Sequence, residues 1–571
     1  MSKIVSLKIG LASCGVAAGG EAVLSELKKW TDLPITEVGC IGHCYAEPLV
    51  EACLDDGSSV MYGNVKPTET CVKNILALGE EGRFVIPAAR RNKELVKVLA
   101  LAGHIAPVVL KEYTDRGGYA GLRRALSMKP EEVIDEVKLS GLRGRGGGGF
   151  PTGNKWSFLA AKPGFDKTVI CNADEGDPGA FMDRSLMESV PHQVLEGMLI
   201  AAYATGASRL IIYCRAEYPM AIKHLKIAIG QIYEEGLNVL NGRTVEISIK
   251  EGAGAFVCGE ETALIASLEG QRGMPRFRPP FPTDRGYQDK PTMINNVETF
   301  GNVPLILREG GAKFAEIGSA GGRGTKLFAL AGDLKYPGLV EVPMGTTLRE
   351  IVFEIGGADP DKVKAVQTGG PSGGCIPVEL FDTPVDYDSL RSLGAIMGSG
   401  GMIVIGKDRC MVETARYFLD FTHRESCGKC TFCRIGTTRM FEILERIVAG
   451  KGTEADLDTL EDLGRKVKAG SLCGLGQTAP NPVLATLRYY RHEYLEHVRE
   501  HKCRAMQCNA MVDLTLDRDK CVKCKLCIRS CPVGAISADF VIDPAVCTRC
   551  NSCLDSCPKH AIRRIATGEK K

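Results

Sequence analysis

No stretch of the 571-residue chain reaches about 18 consecutive apolar residues, so no segment reads as a membrane-spanning helix. An excess of one charge is also missing. The 71 basic residues stand against 69 acidic ones, a formal net charge of +2. That balance gives no broad electrostatic case for nucleic acid or an anionic membrane surface. The opening MSKIVSLKIG has no apolar core segment and no small-residue cleavage site. No signal peptide is therefore read, and a reducing cytoplasm is the expected location. In that setting 24 cysteines are not expected to pair as disulfides, and metal or redox use is the better expectation. The length suggests about four domains.

The cysteines are most concentrated near the C-terminus. Cys521, Cys524, Cys527 and Cys531-Pro532 form a C-x2-C-x2-C-x3-C-P run, and Cys547, Cys550, Cys553 and Cys557-Pro558 repeat it. This is the pattern of bacterial-type two-cluster ferredoxins, in which the fourth cysteine of each run serves the other cluster. One [4Fe–4S] cluster is therefore expected on Cys521, Cys524, Cys527 and Cys557, and a second on Cys547, Cys550, Cys553 and Cys531. A zinc ribbon is the competing reading, but such a site needs only four ligands, and here two full copies carry both prolines.

Residues 1–90 read as a small α/β unit, with a strand over Ile4–Ile9, a helix over Gly20–Trp30 and a strand around Leu49–Leu54. Cys14 and Cys40-Ile-Gly-His-Cys44 lie in it. The segment resembles the thioredoxin-like [2Fe–2S] domain of respiratory complex I and related hydrogenases, which carries C-x4-C followed by C-x3-C. Cys14, Cys40 and Cys44 match three ligands, and Ile9 stands at the first. Two readings stay open: a cluster with a substitute ligand, or a domain kept for docking. Cys53 and Cys71 are off the pattern and read as small hydrophobes.

Residues 91–135 read as helical connections, Lys93–Ala102 and Gly121–Ser127. The stretch Ser140–Trp156 then holds Gly144, Gly146 and Gly149 in a G-x-G-x-x-G spacing. A helix, Pro130–Leu139, precedes it rather than a strand, and no Gly-Lys-Ser/Thr follows, so neither a Rossmann fingerprint nor a Walker A loop is read. The glycines still allow a backbone to approach a phosphate closely. A strand at Thr168–Cys171 ends in Asn172-Ala-Asp-Glu-Gly-Asp-Pro-Gly-Ala-Phe-Met-Asp-Arg184, and an alternation follows: helix Pro191–Thr205, strand Arg209–Cys214, helix Pro219–Gly236, strand Val245–Lys250. Strand ends followed by polar clusters are where α/β sheets bind ligands. Gly252–Leu264, Arg276–Pro282 and Pro291–Thr299 complete the set.

Over about residues 130–500 these blocks resemble the flavin-binding NADH dehydrogenase subunit of complex I, and more closely its soluble relatives in NAD-dependent hydrogenases and formate dehydrogenases. The resemblance implies a noncovalent FMN that takes hydride from NADH. It assigns Gly144, Gly146, Gly147, Lys155, Asn172, Asp174, Glu175, Gly259, Glu260, Glu261, Asn295 and Asn296 to FMN. It assigns Phe150, Phe158, Asp177, Phe256, Arg278 and Phe281 to the nicotinamide nucleotide. Phenylalanines can sandwich its rings, and carboxylates near a ribose accept its hydroxyls and repel a 2′-phosphate, which favours NADH over NADPH. Asp177 and Arg278 depart from the family's glutamate and lysine but keep the charge.

Strand–turn–strand–helix over Lys326–Ala331, Gly338–Val342 and Thr347–Ile355 suits the β-grasp domain that the family has there. The family places the loop Gly369–Gly374 near an iron–sulfur cluster, and Cys375 reads as buried structure. Beyond Met411 the pattern is helical. Cys427, Cys430, Cys433 and Cys473, as C-x2-C-x2-C-x39-C, suit another [4Fe–4S] cluster. Thr453–Lys468 reads as a helix capped by Thr453 and Asp456. A helix over Tyr489–Arg499 leads to His497, Cys503 and Cys508, a mixed His/Cys set that suits zinc, with the fourth ligand unassigned.

The expected architecture is multidomain α/β: a thioredoxin-like domain (1–90), a Rossmann-like FMN/NADH domain (91–324), a β-grasp domain (325–410), a helical bundle with a [4Fe–4S] cluster and a zinc site (411–510), and a two-cluster ferredoxin domain (511–571). The expected cofactors are FMN, NAD(H), three [4Fe–4S] clusters, and candidate [2Fe–2S] and zinc centres. No residue need act as nucleophile or general base. The expected function is the flavin and NAD subunit of a cytoplasmic electron-bifurcating [FeFe]-hydrogenase. Its partners would be a cluster-rich catalytic subunit, a small [2Fe–2S] subunit and ferredoxin. The same subunit of an NAD-dependent formate dehydrogenase, a ferredoxin–NADPH transhydrogenase or an NADH–quinone oxidoreductase is the alternative, and a flavin-free electron-transfer scaffold is the remote one.

Overall fold

The structure, a computed structural model, describes residues 2–567. It divides into two units, one ending at Ile405 and one beginning at Gly406. None of the described helices is long and apolar enough to cross a membrane.

The first unit holds three main sheets. Near the N-terminus the strand order is Ile35–Val38, Ile4–Gly10, Val50–Leu54, Ser59–Tyr62. The first pair is parallel and the other two antiparallel. Helices Gly20–Trp30 and Glu69–Leu76 contribute Val23, Leu27, Val72 and Ile75 to a core with Leu7, Ile9 and Val50. Ile9 is fully buried there.

The central sheet runs Thr292–Asn296, Thr168–Ala173, Arg209–Arg215, Glu246–Gly252, with every pair parallel. Its two middle strands are near-continuous apolar runs, as strands covered on both faces must be. Helix Pro191–Thr205 is buried along its length except at Tyr203 and stops at left-handed Gly206. Proline at its first turn costs no hydrogen bond, and glycine takes the left-handed stop without strain. The register pairs Asn296 with Asn172. Both asparagines therefore emerge together at the carboxyl edge of the sheet.

A mixed five-stranded sheet follows, in the order Gly338–Pro343, Thr325–Gly332, Gly401–Gly406, Val363–Thr368, Gly374–Pro377. The helix read at Thr347–Ile355 is present, wound as a π-helix over Glu350–Ile355.

The helix expected over Lys93–Ala102 is not formed: helix Ala88–Lys93 ends where it should begin. The reason is Glu341, a buried carboxylate on a distant strand. It accepts from the N–H groups of Val98 (2.9 Å) and Leu99 (3.1 Å), and its carbonyl accepts from Leu95 (3.0 Å). Those amides are satisfied without helix, so the segment runs as turns.

In the second unit, helices Met411–Arg424, Thr437–Val448, Glu454–Gly470 and Asn481–Tyr489 pack around Leu419, Met440, Leu444 and Leu460. Thr453 and Asp456 form the expected capping box. The helix expected over Tyr489–Arg499 is broken at Tyr490 (φ −127°) and resumes as Arg491–Leu495 and a π-turn over Glu496–Glu500. At the end of the chain, Val512–Leu516 pairs antiparallel with Ile562–Ala566.

Candidate cofactor and metal sites

The glycine loop lies against the carboxyl edge of the parallel sheet. Gly147 has φ +113°, and a Cβ there would come within 3.1 Å of Gly398. A Cβ on Gly146 would stand 3.0 Å from the Asn296 side chain. A side chain at either position would fill the groove between loop and sheet. The loop is held from behind: Arg145 is fully buried, its N–H donates to Thr299 Oγ1 (2.9 Å), and Gly144 O accepts from Tyr387 (2.8 Å).

Most of the polar residues read as flavin contacts come together here. Asn172 donates to the Gly259 carbonyl at 2.9 Å. Asn295 accepts from the Trp156 indole at 3.1 Å. Lys155, on helix Thr152–Ala160, donates to the Ile294 carbonyl (3.1 Å) and lies 3.6 Å from Glu261. Glu261 also pairs with Arg278 at 2.6 Å. Glu260 caps helix Glu261–Leu268, accepting from the Thr262 and Ala263 amides. Glu175 is already engaged: its carboxylate accepts from the Asp183 and Arg184 amides, starting helix Met182–Ser189, and from Tyr218. Burial pushes the Glu175 and Asp183 carboxyls above the usual range. Asp174 is buried beside Gly259, where a Cβ would meet its backbone oxygen at 3.7 Å.

On the open side stand aromatic faces. Phe150 and Phe158 are each about half exposed, with ring centroids 6.3 Å apart, and Phe281 is equally exposed. Phe256 packs on Gly176. Asp177 accepts from Ser399 at 2.9 Å, and burial pushes its carboxyl up to about 6. Apolar rings left facing water beside carboxylates suit a ligand with stacking rings and hydroxyls.

The ferredoxin-type run folds as two copies of one device. Cys531, Cys547, Cys550 and Cys553 line one apolar pocket with Leu514, Ile536 and Ile542. Cys521, Cys524, Cys527 and Cys557 line another with Leu516, Phe540 and Ile562. The grouping is the crossed one read from the spacing. Lys523, Lys525, Arg549 and Asn551 all have positive φ, at matching places in the two runs. Amides of Lys523 and Arg549 donate to the first sulfur of each run (3.4 Å), and those of Ala535 and Ala561 to the last (3.2 Å).

Cys433, in the π-turn Phe432–Gly436, feels Cys427, Cys430 and Cys473 as charged neighbours, and burial lifts its thiol to about 11. Cys473, 40 positions further along the chain, is the N-cap residue of helix Gly474–Thr478. Cys427, Cys430 and Cys473 thus lie close enough to Cys433 to act on its thiol.

The His/Cys set gains a fourth member that the sequence reading missed. Cys410, His497, Cys503 and Cys508 are all buried, and their donor atoms lie within 4.8 Å of one another. Cys410 Sγ is 3.8 Å from Cys508 Sγ and 3.5 Å from His497 Nε2. Two sulfurs on one tetrahedral zinc at about 2.3 Å each stand about 3.8 Å apart. His497 Nδ1 lies 2.7 Å from the Glu493 carbonyl, which leaves Nε2 facing the sulfurs. His501 sits apart, in a left-handed turn.

In the first unit Cys14, Cys40 and Cys44 also converge, within 4.8 Å of one another. Cys40 N donates to Ser189 Oγ (3.1 Å), and Ser13 donates through both its N–H and its hydroxyl to Glu188. Both anchors lie at the end of helix Met182–Ser189, whose start is held by Glu175. Cys53 and Cys71 are half-buried and outside the group, and Cys375 is buried as read.

Residues 137–305 match the model of the Nuo51 FMN-binding domain, and residues 413–497 that of the NADH-ubiquinone oxidoreductase-F iron-sulfur binding region. Residues 514–537 and 540–563 match a 4Fe-4S binding domain. The NADP-reducing hydrogenase subunit HndC of Solidesulfovibrio fructosivorans is 53% identical over 452 residues, covering 78% of this chain and 92% of that one. The chain belongs to the complex I 51-kDa-like family of flavin- and NADH-binding subunits. An NADH-quinone oxidoreductase subunit of Rhizobium meliloti is 45% identical over 70% of this chain and 96% of its own. An NAD+-reducing [NiFe]-hydrogenase in the H2-reduced state superposes with a TM-score of 0.64 at 31% identity, covering 87% of this chain and 84% of that one.

Membership makes this an NAD(H)-dependent flavin iron–sulfur oxidoreductase subunit, with an FMN-binding domain and [4Fe–4S] binding regions. The residues fit an FMN: a glycine groove that side chains would block, amides and a lysine beside it, and a sheet edge of the kind that binds nucleotides. Beyond Cys410, sequence reading also missed Asp183, which accepts from Asn296 Nδ2 at 2.5 Å, and the fully buried Lys326–Glu298 pair. Asp183 stands in the block Asn172–Arg184 and Glu298 in Pro291–Thr299, but the resemblance gives neither a role, and no spacing marks Lys326.

Proposed function

We propose that the chain is the NADH-oxidising or NAD-reducing FMN iron–sulfur subunit of an electron-bifurcating hydrogenase complex working with ferredoxin. The carrying observation is the coexistence in one chain of a glycine- and carboxylate-lined crevice with two pockets each lined by four cysteines. Bound FMN would accept a hydride and release the electrons singly, which is the cofactor's own chemistry.

The protein's part is positional. The loop amides of Gly146 and Gly147 and the Lys155 ammonium would hold the flavin phosphate beside Gly144, whose own amide is spent on the Phe150 carbonyl, and Asn172, Asn295 and Asn296 would face polar edges of the cofactor. Phe150, Phe158 and Phe281 would cover the nucleotide rings and keep water from them. Asp177 would accept ribose hydroxyls, and Arg278, steered by Glu261, would meet a phosphate. Cys427, Cys430, Cys433 and Cys473 would hold one cubane and the two C-terminal quartets the others. Cys410, His497, Cys503 and Cys508 would hold a structural zinc. On this reading the domains run thioredoxin-like, Rossmann-like, β-grasp, helical and ferredoxin-like, and the order of sheets along the chain supports it.

The partners on this reading are a hydrogenase-like, cluster-rich catalytic subunit and a small [2Fe–2S] subunit. A formate dehydrogenase, transhydrogenase or NADH–quinone oxidoreductase would use the same chain with another terminal catalyst. The carboxylates near the nucleotide favour NADH. The relative named as NADP-reducing makes the nucleotide choice the first thing to test. Anaerobic dye reduction with each nucleotide decides it: NADH should be preferred at least about tenfold, or about 1.4 kcal/mol. Equal or better rates with NADPH would overturn that preference. Copurification with a molybdenum-containing dehydrogenase would replace hydrogenase as the partner.

A further inference from the structure

The three N-terminal cysteines do not fit the two-iron cluster that the family pattern implies. Such a cluster takes four ligands, and those on one iron stand across the whole rhomb from those on the other. Ile9, at the first ligand position, is fully buried in the core and carries no donor. The Cys14, Cys40 and Cys44 sulfurs lie within 4.8 Å of one another, so none stands across a cluster from the rest, and Glu47 falls outside the group. Its carboxylate packs on Gly10, where a Cβ would come 2.8 Å from Oε2, and Oε2 also accepts from the Leu49 amide at 2.8 Å.

A single metal ion fits where a cluster does not. Two sulfurs on one tetrahedral zinc at about 2.3 Å each stand about 3.8 Å apart, and Cys40 Sγ and Cys44 Sγ are 3.7 Å apart. Gly42 turns the chain between them at φ +86°, and its amide donates to Cys40 Sγ at 3.2 Å, a contact that favours a thiolate. Cys14 comes from the first turn of the short helix Ser13–Ala17. Soft thiolates suit zinc, and three of them leave one tetrahedral position for water. Glu47 Oε1, 3.7 Å from Cys14 Sγ, is placed to accept from such a water.

The thiols also sit where three elements meet. Cys40 N and Ser13 are anchored on Ser189 and Glu188, at the end of helix Met182–Ser189. On the other side the Leu339 amide donates to the Gly42 carbonyl at 3.0 Å, and a Cβ on Gly338 would stand 3.4 Å from Cys44 Sγ. We propose that Cys14, Cys40 and Cys44 hold one zinc ion, with water in the fourth position, that fastens the N-terminal sheet to helix Met182–Ser189 and strand Gly338–Pro343. The domain then serves docking and carries no electrons. The inference stands on these donors alone and does not depend on the flavin reading.

The test uses the full chain, purified anaerobically, with zinc, iron, acid-labile sulfide and flavin counted and the reduced protein examined by EPR at liquid-nitrogen temperature, where cubane signals have relaxed away. Wild type should show no two-iron signal. Cys14→Ser and Cys44→Ser should each lose about one zinc per chain, with iron and flavin contents unchanged as the check on folding. Cys53→Ser, outside the group, should lose none, and neither should Glu47→Gln. Cys410→Ser leaves the N-terminal thiols untouched and should retain about one zinc, which keeps the answer independent of how the thiol variants fold. A two-iron signal in wild type, no zinc in Cys410→Ser, or unchanged zinc in both Cys14→Ser and Cys44→Ser would each overturn the site. Zinc lost in Glu47→Gln would overturn the three-thiolate ligand set.

Discussion

The C-terminal ferredoxin segment and the flavin crevice collect their ligands in opposite ways. In the segment, three of each cluster's four cysteines come from seven consecutive residues, and one crosses from the sister run. In the crevice, the groups come from four separate stretches between Gly144 and Asn296, brought together only by a parallel sheet and its register. Short wraps specify a cluster through spacing and left-handed turns. A nucleotide site is specified through strand order, and its individual residues do double duty as caps and braces.

The comparison predicts how each site fails. The largest effect should come from Gly147→Val. A β-branched residue is strained at φ +113° and would also press on Gly398. Bound flavin and NADH-driven dye reduction should both fall by at least about a hundredfold, or about 2.7 kcal/mol, while the iron content stays. Cys527→Ser should do the converse: about four irons per chain are lost, ferredoxin-linked activity drops severely, and dye reduction persists. Flavin loss in Cys527→Ser would break the distinction between the two regions.

Cys410→Ser should release zinc, about one ion per chain, and lower the melting temperature of the helical unit, since a structural zinc contributes directly to folding. Phe158→Ala should raise the KM for NADH a few-fold, about 0.5–1.5 kcal/mol, with kcat little changed.

The smallest effect concerns Asp177. Its carboxyl, raised to about 6 by burial, keeps a proton in the folded state that the unfolded chain sheds near 4. The folded state therefore binds more protons in that window, and this group's contribution to stability declines as pH rises through it. Asp177→Asn should raise the melting temperature by about 1–2 °C near pH 7.5 and by almost nothing near pH 3.

Much of this was legible in advance, for identifiable reasons. Helices Pro130–Leu139 and Pro191–Thr205 begin and end as read because proline and glycine mark their ends. The crossed cysteine grouping followed from a spacing read as that of two-cluster ferredoxins. Two features show what was not legible. Residues 93–102 carry a helical pattern, but a remote carboxylate, Glu341, takes their amides. Cys410 lies 87 residues before His497, too far for any ligand spacing to register. Each miss is a tertiary contact made by a side chain from elsewhere in the chain.

The most direct test of the central claim is an anaerobic NADH titration of the isolated chain, followed by visible absorbance and low-temperature EPR. The account predicts that NADH bleaches the flavin band and brings up cubane signals, and that Gly147→Val abolishes both responses while dithionite still reduces the clusters. A chain that releases no flavin on acid precipitation and shows no bleaching with NADH would contradict it, and would leave an electron-transfer scaffold without a flavin.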